Sequence, residues 1–181
     1  MKKVFFALLA FFAFSVLFTA CKKDKHEKEN VIVTPKTPVP DAFVGKWSAG
    51  DFNVNEFHSY NGSSQPDATQ MIAYIIAKDG TAEQYIYYRF TDGSNKQTLM
   101  HRKGSVSYNE ATGTLQFAPA EGTVRNFVGS TKTEGKVASD GLYPAYAPKY
   151  HDVSVEPYQQ HLFLVGINDY NEQVEFLKGS W

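Results

Sequence analysis

Residues 70–90 read QMIAYIIAKDGTAEQYIYYRF. The first part, 70–81, is long enough for a helix, but its β-branched content and the Asp79-Gly80 that follows argue against one. Glycine supplies the positive φ that a tight turn between antiparallel strands needs. Beyond the turn the residues alternate: Tyr85, Tyr87 and Arg89 share one face, and Ile86, Tyr88 and Phe90 share the other. β-branched and aromatic side chains pack well on a pleated surface. The stretch therefore reads as strand, turn, strand.

The same pattern spreads in both directions. Further strands are expected over 43–54, 97–108, 114–118, 123–128, 150–155, 161–167 and 173–177, with Gly104 marking a bulge or bend. Residues 129–149 read as a loop, punctuated by Gly129, Gly135, Gly141 and Pro144. No stretch after Asp41 shows a helical period with caps. Nine short strands mean a barrel or a sandwich, and closing a barrel removes the edge strands that invite aggregation.

Composition has to be split before it informs. The 181 residues are 43% hydrophobic with a formal net charge of −1. Residues 1–20 alone hold 16 hydrophobic residues, among them six Phe. Residues 21–40 carry five Lys against three acids, and residues 41–181 carry eleven Lys and Arg against sixteen Asp and Glu. So a basic tether precedes an acidic domain, and a nucleic-acid partner is not expected. A single cysteine, Cys21, excludes an internal disulfide framework and a multi-cysteine zinc site.

Residues 1–20 have the order of a signal peptide: Lys2-Lys3, an uncharged apolar run, then Leu17-Phe18-Thr19-Ala20-Cys21. Small residues directly before a cysteine resemble the lipobox of bacterial lipoprotein precursors. The resemblance implies cleavage between Ala20 and Cys21 and acylation of Cys21. Two or three acyl chains hold a protein stably on a membrane where one would be marginal. Lys22, rather than Asp, after the cysteine resembles an outer-membrane lipoprotein, on the periplasmic face or the cell surface. Residues 21–40, with Pro35, Pro38 and Pro40, read as the lipidated cysteine and a flexible, solvated tether. Residues 41–181 are left as the folded domain.

Phe43-Val44-Gly45-Lys46-Trp47 then tips the sandwich toward a barrel. A Gly-x-Trp at the start of the first strand resembles the opening motif of the lipocalins and other calycins, and Gly45 and Trp47 share one strand face. Asp79-Gly80-Thr81 and Gly104-Ser105-Val106-Ser107-Tyr108 resemble pieces of lipocalin-like lipoproteins of the Bacteroidetes. The resemblance implies an antiparallel up-and-down barrel of eight to nine strands, with Trp47 plugging one end and a late-strand Arg stacked over it. Arg125 is the candidate for that Arg, since none lies later; Lys178 is the last cation in the chain.

Signals for chemistry are sparse. His26, His58, His101, His151 and His161 show no local metal spacing. There is no Gly-x-Ser-x-Gly elbow, no phosphate loop and no distinguished carboxylate pair. No catalysis, cofactor or metal is expected. The aromatics say more. All eleven Tyr lie in the domain, and Tyr combines a stacking face with a hydroxyl. Tyr88, Phe90, Met100 and Phe117 are the residues expected toward the lumen. The first expectation is thus a lipid-anchored barrel binding a small or hydrophobic ligand. The alternative is a filled barrel whose outer surface docks an envelope protein or glycan. A third reading is a hydrolase at the barrel mouth, with His101, His151 or His161 beside a carboxylate.

Overall fold

A computed structural model describes residues 37–50, 54–63, 69–138, 149–179 and 181. The expected leader, the expected cleavage pair Ala20 and Cys21, and the expected tether through residue 36 lie outside the described residues. Nine strands follow one another: β1 (Gly45–Ala49), β2 (Gln70–Ile76), β3 (Thr81–Arg89), β4 (Lys96–Asn109), β5 (Thr114–Val128), β6 (Thr131–Lys136), β7 (Lys149–Tyr158), β8 (His161–Asn168) and β9 (Gln173–Lys178). All pairings are antiparallel. β1 pairs with both β2 and β9, and β4 pairs with β5. The sheet therefore closes as a ring, β1-β2-β3-β4-β5-β7-β8-β9, with β6 attached to the C-terminal half of β5. This is the all-β, barrel-like fold that the strand pattern predicts.

The nine strands are not the nine expected. The segments 114–118 and 123–128 are one strand, because Pro119-Ala120-Glu121-Gly122 is a bulge and not a turn. The register runs Lys103 opposite Glu121, then Gly104 opposite Pro119, leaving Ala120 as the extra residue. A bulge is one of the few places inside a sheet that tolerates proline. Gly104 is needed there: a Cβ on it would run into the carbonyl oxygen of Ala118 and the Cα of Pro119.

Residues 131–136, expected in a loop, form β6. Gly129, at φ +59°, turns the chain back, and Thr131 and Thr133 suit a strand. Its polar residues on both faces hid the alternation. The first strand is also shorter than expected. It stops at Ala49, and Val54–Ser59 forms a short helix, α1. Six residues are too few to show a period, and a helix this short is held by packing rather than by propensity. His58 is on α1.

Two apolar clusters explain why both faces of residues 70–90 are rich in apolar side chains. Inside the ring, Trp47, Tyr74, Ile76, Val106, Leu115, Phe117, Tyr150, Leu164 and Phe176 pack together. On the outer face of β2–β5, Met71, Ala73, Tyr85, Tyr87, Leu99 and Phe127 are covered by Val54 and Phe57 of α1 and by Tyr60 and Trp181. Burying one such aromatic side chain contributes roughly 1.5–3 kcal/mol.

Gly104→Ala should destabilise the domain by about 1–3 kcal/mol, as overpacking a tight site does. Gly135→Ala, which meets no atom within 4 Å, should change it by less than about 0.5 kcal/mol. Urea midpoints of the two variants measure the difference.

Candidate functional site

Register and alternation place Gln84 and Arg102 side by side on the inward face of β3 and β4. Both are buried. The Arg102 Nε donates to Gln84 Oε1 at 2.7 Å, and Arg102 Nη2 donates to the same oxygen. Gln84 Nε2 donates to the Tyr74 hydroxyl at 2.5 Å, which is 3.0 Å from the Tyr150 hydroxyl. The guanidinium also sits 5.8 Å from the Phe117 ring centroid. Burial pushes both phenols well into the neutral range and lowers the Arg102 pKa, which Tyr74 and Tyr150 partly restore. A buried cation is tolerable only with hydrogen-bond partners, and Gln84 supplies one to the Nε and Nη2 of Arg102.

The middle of the barrel is filled by its own side chains. Tyr74, Ile76, Val106, Leu115, Phe117, Tyr150 and Leu164 leave a void of about 10 Å³, room for roughly one water molecule.

The inward face changes character one step further along the strands. Met100 lies opposite Ile86 on one side and Val124 on the other, and Ile72 lies opposite Ile86. The next row holds Tyr88, Thr98 and Asn126, where Thr98 Oγ1 donates to Asn126 Oδ1 at 2.7 Å. Ile72, Ile86, Met100 and Val124 are only half-buried and Tyr88 is 40% exposed. Their outward neighbours Tyr85, Tyr87, Leu99 and Phe127 are fully buried. At this end the sheet is covered on its outside and partly open on its inside, the reverse of an ordinary barrel.

The four residues expected in the lumen are therefore divided. Tyr88 and Met100 belong to this apolar shelf. Phe90 lies just past the end of β3, edge-on to Tyr88 at 4.8 Å, with Lys96 Nζ 4.8 Å from its ring. Phe117 is in the packed middle, 5.8 Å from Tyr74.

The Gly-x-Trp opening occupies the other end. Trp47 is completely buried, and its Nε1–H donates to the carbonyl of Phe43 at 2.8 Å. Arg125 is not stacked on it. After the bulge the odd residues of β5 face outward, so Arg125 lies over the Phe57 ring at 4.9 Å and donates to the carbonyls of Phe57, His58 and Tyr60. It caps the C-terminal end of α1, where a cation complements the helix carbonyls. The cation over Trp47 is Lys178, directly opposite it in the β1–β9 register, with Nζ 5.3 Å from the ring. Gly45, at φ +139°, makes room: a Cβ there would come within 3.1 Å of Lys178 Cε.

Of the described histidines, His58 and His101 meet, whereas His151 and His161 sit on β7 and β8. His101 is on the outer face, where its Nε2 is 2.7 Å from Glu83 Oε2 and its ring stacks on Tyr85 at 4.4 Å. His58 is edge-on to both rings. His151 meets Asp169 at 3.2 Å, and His161 is at the β7–β8 turn. Among the described residues no three His, Cys, Asp or Glu are arranged to hold a metal ion.

Burial, then His101 and Arg125, push the His58 imidazole below its usual value, against the pull of Glu83. Burial raises Glu83, but hydrogen bonds from Tyr85 and His101 outweigh it and leave the carboxyl below its usual value. Protonated His58 would lose solvation and face the Arg125 guanidinium. The unfolded chain takes up this proton near its ordinary pKa of about 6.5, before the folded chain does. Stability is therefore complete above that pH and falls as pH drops toward the folded pKa. Melting temperature should fall between about pH 7.5 and 5.5, and His58→Gln should reduce the fall; an identical fall in the variant would refute the assignment.

No protein-family model matches the chain, and no curated protein is similar enough to stand as a relative.

Proposed function

We propose that this chain is a lipid-anchored, non-catalytic protein of the cell envelope that holds a small hydrophobic molecule on the apolar shelf of its barrel. The shelf carries the reading: Ile72, Ile86, Met100 and Val124 are half-buried on the inward face of the ring, with half-open Tyr88 at the rim and buried Arg102 one row below. An apolar surface with a few convergent polar groups is the usual composition of a small-molecule site. Thr98, Asn126 and the Tyr88 hydroxyl supply orientation at the rim. The ligand rests at one end of the barrel, because the middle is occupied by Phe117, Tyr74 and Tyr150. The anchor reading rests on the Ala20-Cys21 sequence signal.

A second reading keeps the anchor and makes the protein a docking partner for an envelope protein or glycan. The filled barrel centre favours it, as do Tyr158 and Tyr170, exposed at 65% and 85%.

The test uses the full chain, extracted in mild detergent from the membranes of a bacterial host that processes lipoproteins. Intact mass should show an acylated chain beginning at Cys21. An environment-sensitive apolar fluorophore, anilinonaphthalene sulfonate, should bind it saturably, and Met100→Glu should weaken that binding at least about tenfold while leaving the melting temperature near that of the parent. Equal binding by parent and variant would remove the ligand reading and leave the docking one.

A further inference from the structure

Among the described residues β6 lies outside the ring and pairs with β5 alone, and all six of its residues are exposed. The backbone N–H of Val137 donates to Gly122 at 2.9 Å on the β5 side. Antiparallel ladders alternate, so Thr131, Thr133 and Gly135 direct their backbone groups to β5. Lys132, Glu134 and Lys136 then direct theirs to the free edge. Such an edge is a template for another strand unless something blunts it. Edge charges usually do the blunting, but here the signs alternate, and alternation makes the edge complementary to itself.

We propose that β6 pairs with β6 of a second copy of this chain, antiparallel about a two-fold axis at Thr133. In that register Lys132 of each copy lies opposite Glu134 of the other, with their free backbone groups face to face as hydrogen-bonded pairs. Lys132 and Glu134 already form an ion pair within the strand at 2.5 Å. The dimer joins two such pairs into a four-charge network on one face and sets Thr133 against Thr133 on the other. Opposite charges and Thr–Thr contacts are favourable cross-strand pairs. A register centred on Glu134 would set Lys132 against Lys136 and Glu134 against Glu134, which is repulsive. One centred on Gly135 would again pair opposite charges, but would put two glycines where the Thr pair stands, and glycine weakens a strand. The two-fold arrangement is the closed, self-matching kind that homodimers use.

Disulfide trapping in the full chain tests the pairing. Thr133→Cys places two thiols in a non-hydrogen-bonded pair at the axis, within disulfide reach. Gly135→Cys, in the same strand, places them roughly 13 Å apart. On mild oxidation in membranes, Thr133→Cys should give a covalent dimer on non-reducing gels several-fold above both Gly135→Cys and the parent chain. Adding Lys132→Glu should cut the dimer several-fold, and the swap Lys132→Glu with Glu134→Lys should restore it. All these positions are exposed, and circular dichroism is the check that each variant folds. A Thr133→Cys yield no higher than that of Gly135→Cys, or a charge swap that fails to restore the dimer, overturns the proposal.

Discussion

The ladder between β4 and β5 is the constraint on which the rest of the molecule depends. It is the longest pairing, running from Lys96 opposite Val128 to Asn109 opposite Thr114 with one register shift beside Gly104. That length lets a single strand serve two neighbours in succession. The first residues of β5 meet β7 and complete the ring, and the last ones carry β6 out of it. The Ala120 bulge at the shift reverses which residues of β5 face inward. Without it Val124 would point outward and Phe127 inward, the shelf would lose one wall, and Arg125 would not reach α1.

Much of the architecture was legible in the sequence. Alternation in 70–90, the Asp79-Gly80 turn and the bend at Gly104 all found their places. What escaped notice did so for identifiable physical reasons. β6 is solvated on both faces and so shows no hydrophobic period. Pro119 marks a turn far more often than the inside of a fifteen-residue strand. α1 is a single turn and a half, fixed by Phe57 packing on Tyr85 and by Arg125 on its carbonyls, contacts made across more than twenty residues of chain.

The site was legible in part. Tyr88 and Met100 could be placed on an inward face from strand parity alone. Parity did not say where along the barrel the interior closes. Phe117 and Tyr88 both point inward, yet one is sealed among aromatic rings and the other is at the rim. Nor could residue type identify the cation over Trp47: an Arg was expected, but strand register selected Lys178. The polar row Gln84–Arg102 gave no signal, because a buried Gln–Arg pair becomes visible only once Tyr74 and Tyr150 are brought beside it.

The account turns on an interior that is shut in the middle and open at one end. Crystals pressurised with xenon report that division directly, since xenon enters apolar space without hydrogen-bonding demands. The account predicts bound xenon against Ile86, Met100 and Val124 and none beside Tyr74 and Phe117. Xenon in the middle of the barrel, with none on the shelf, would contradict it.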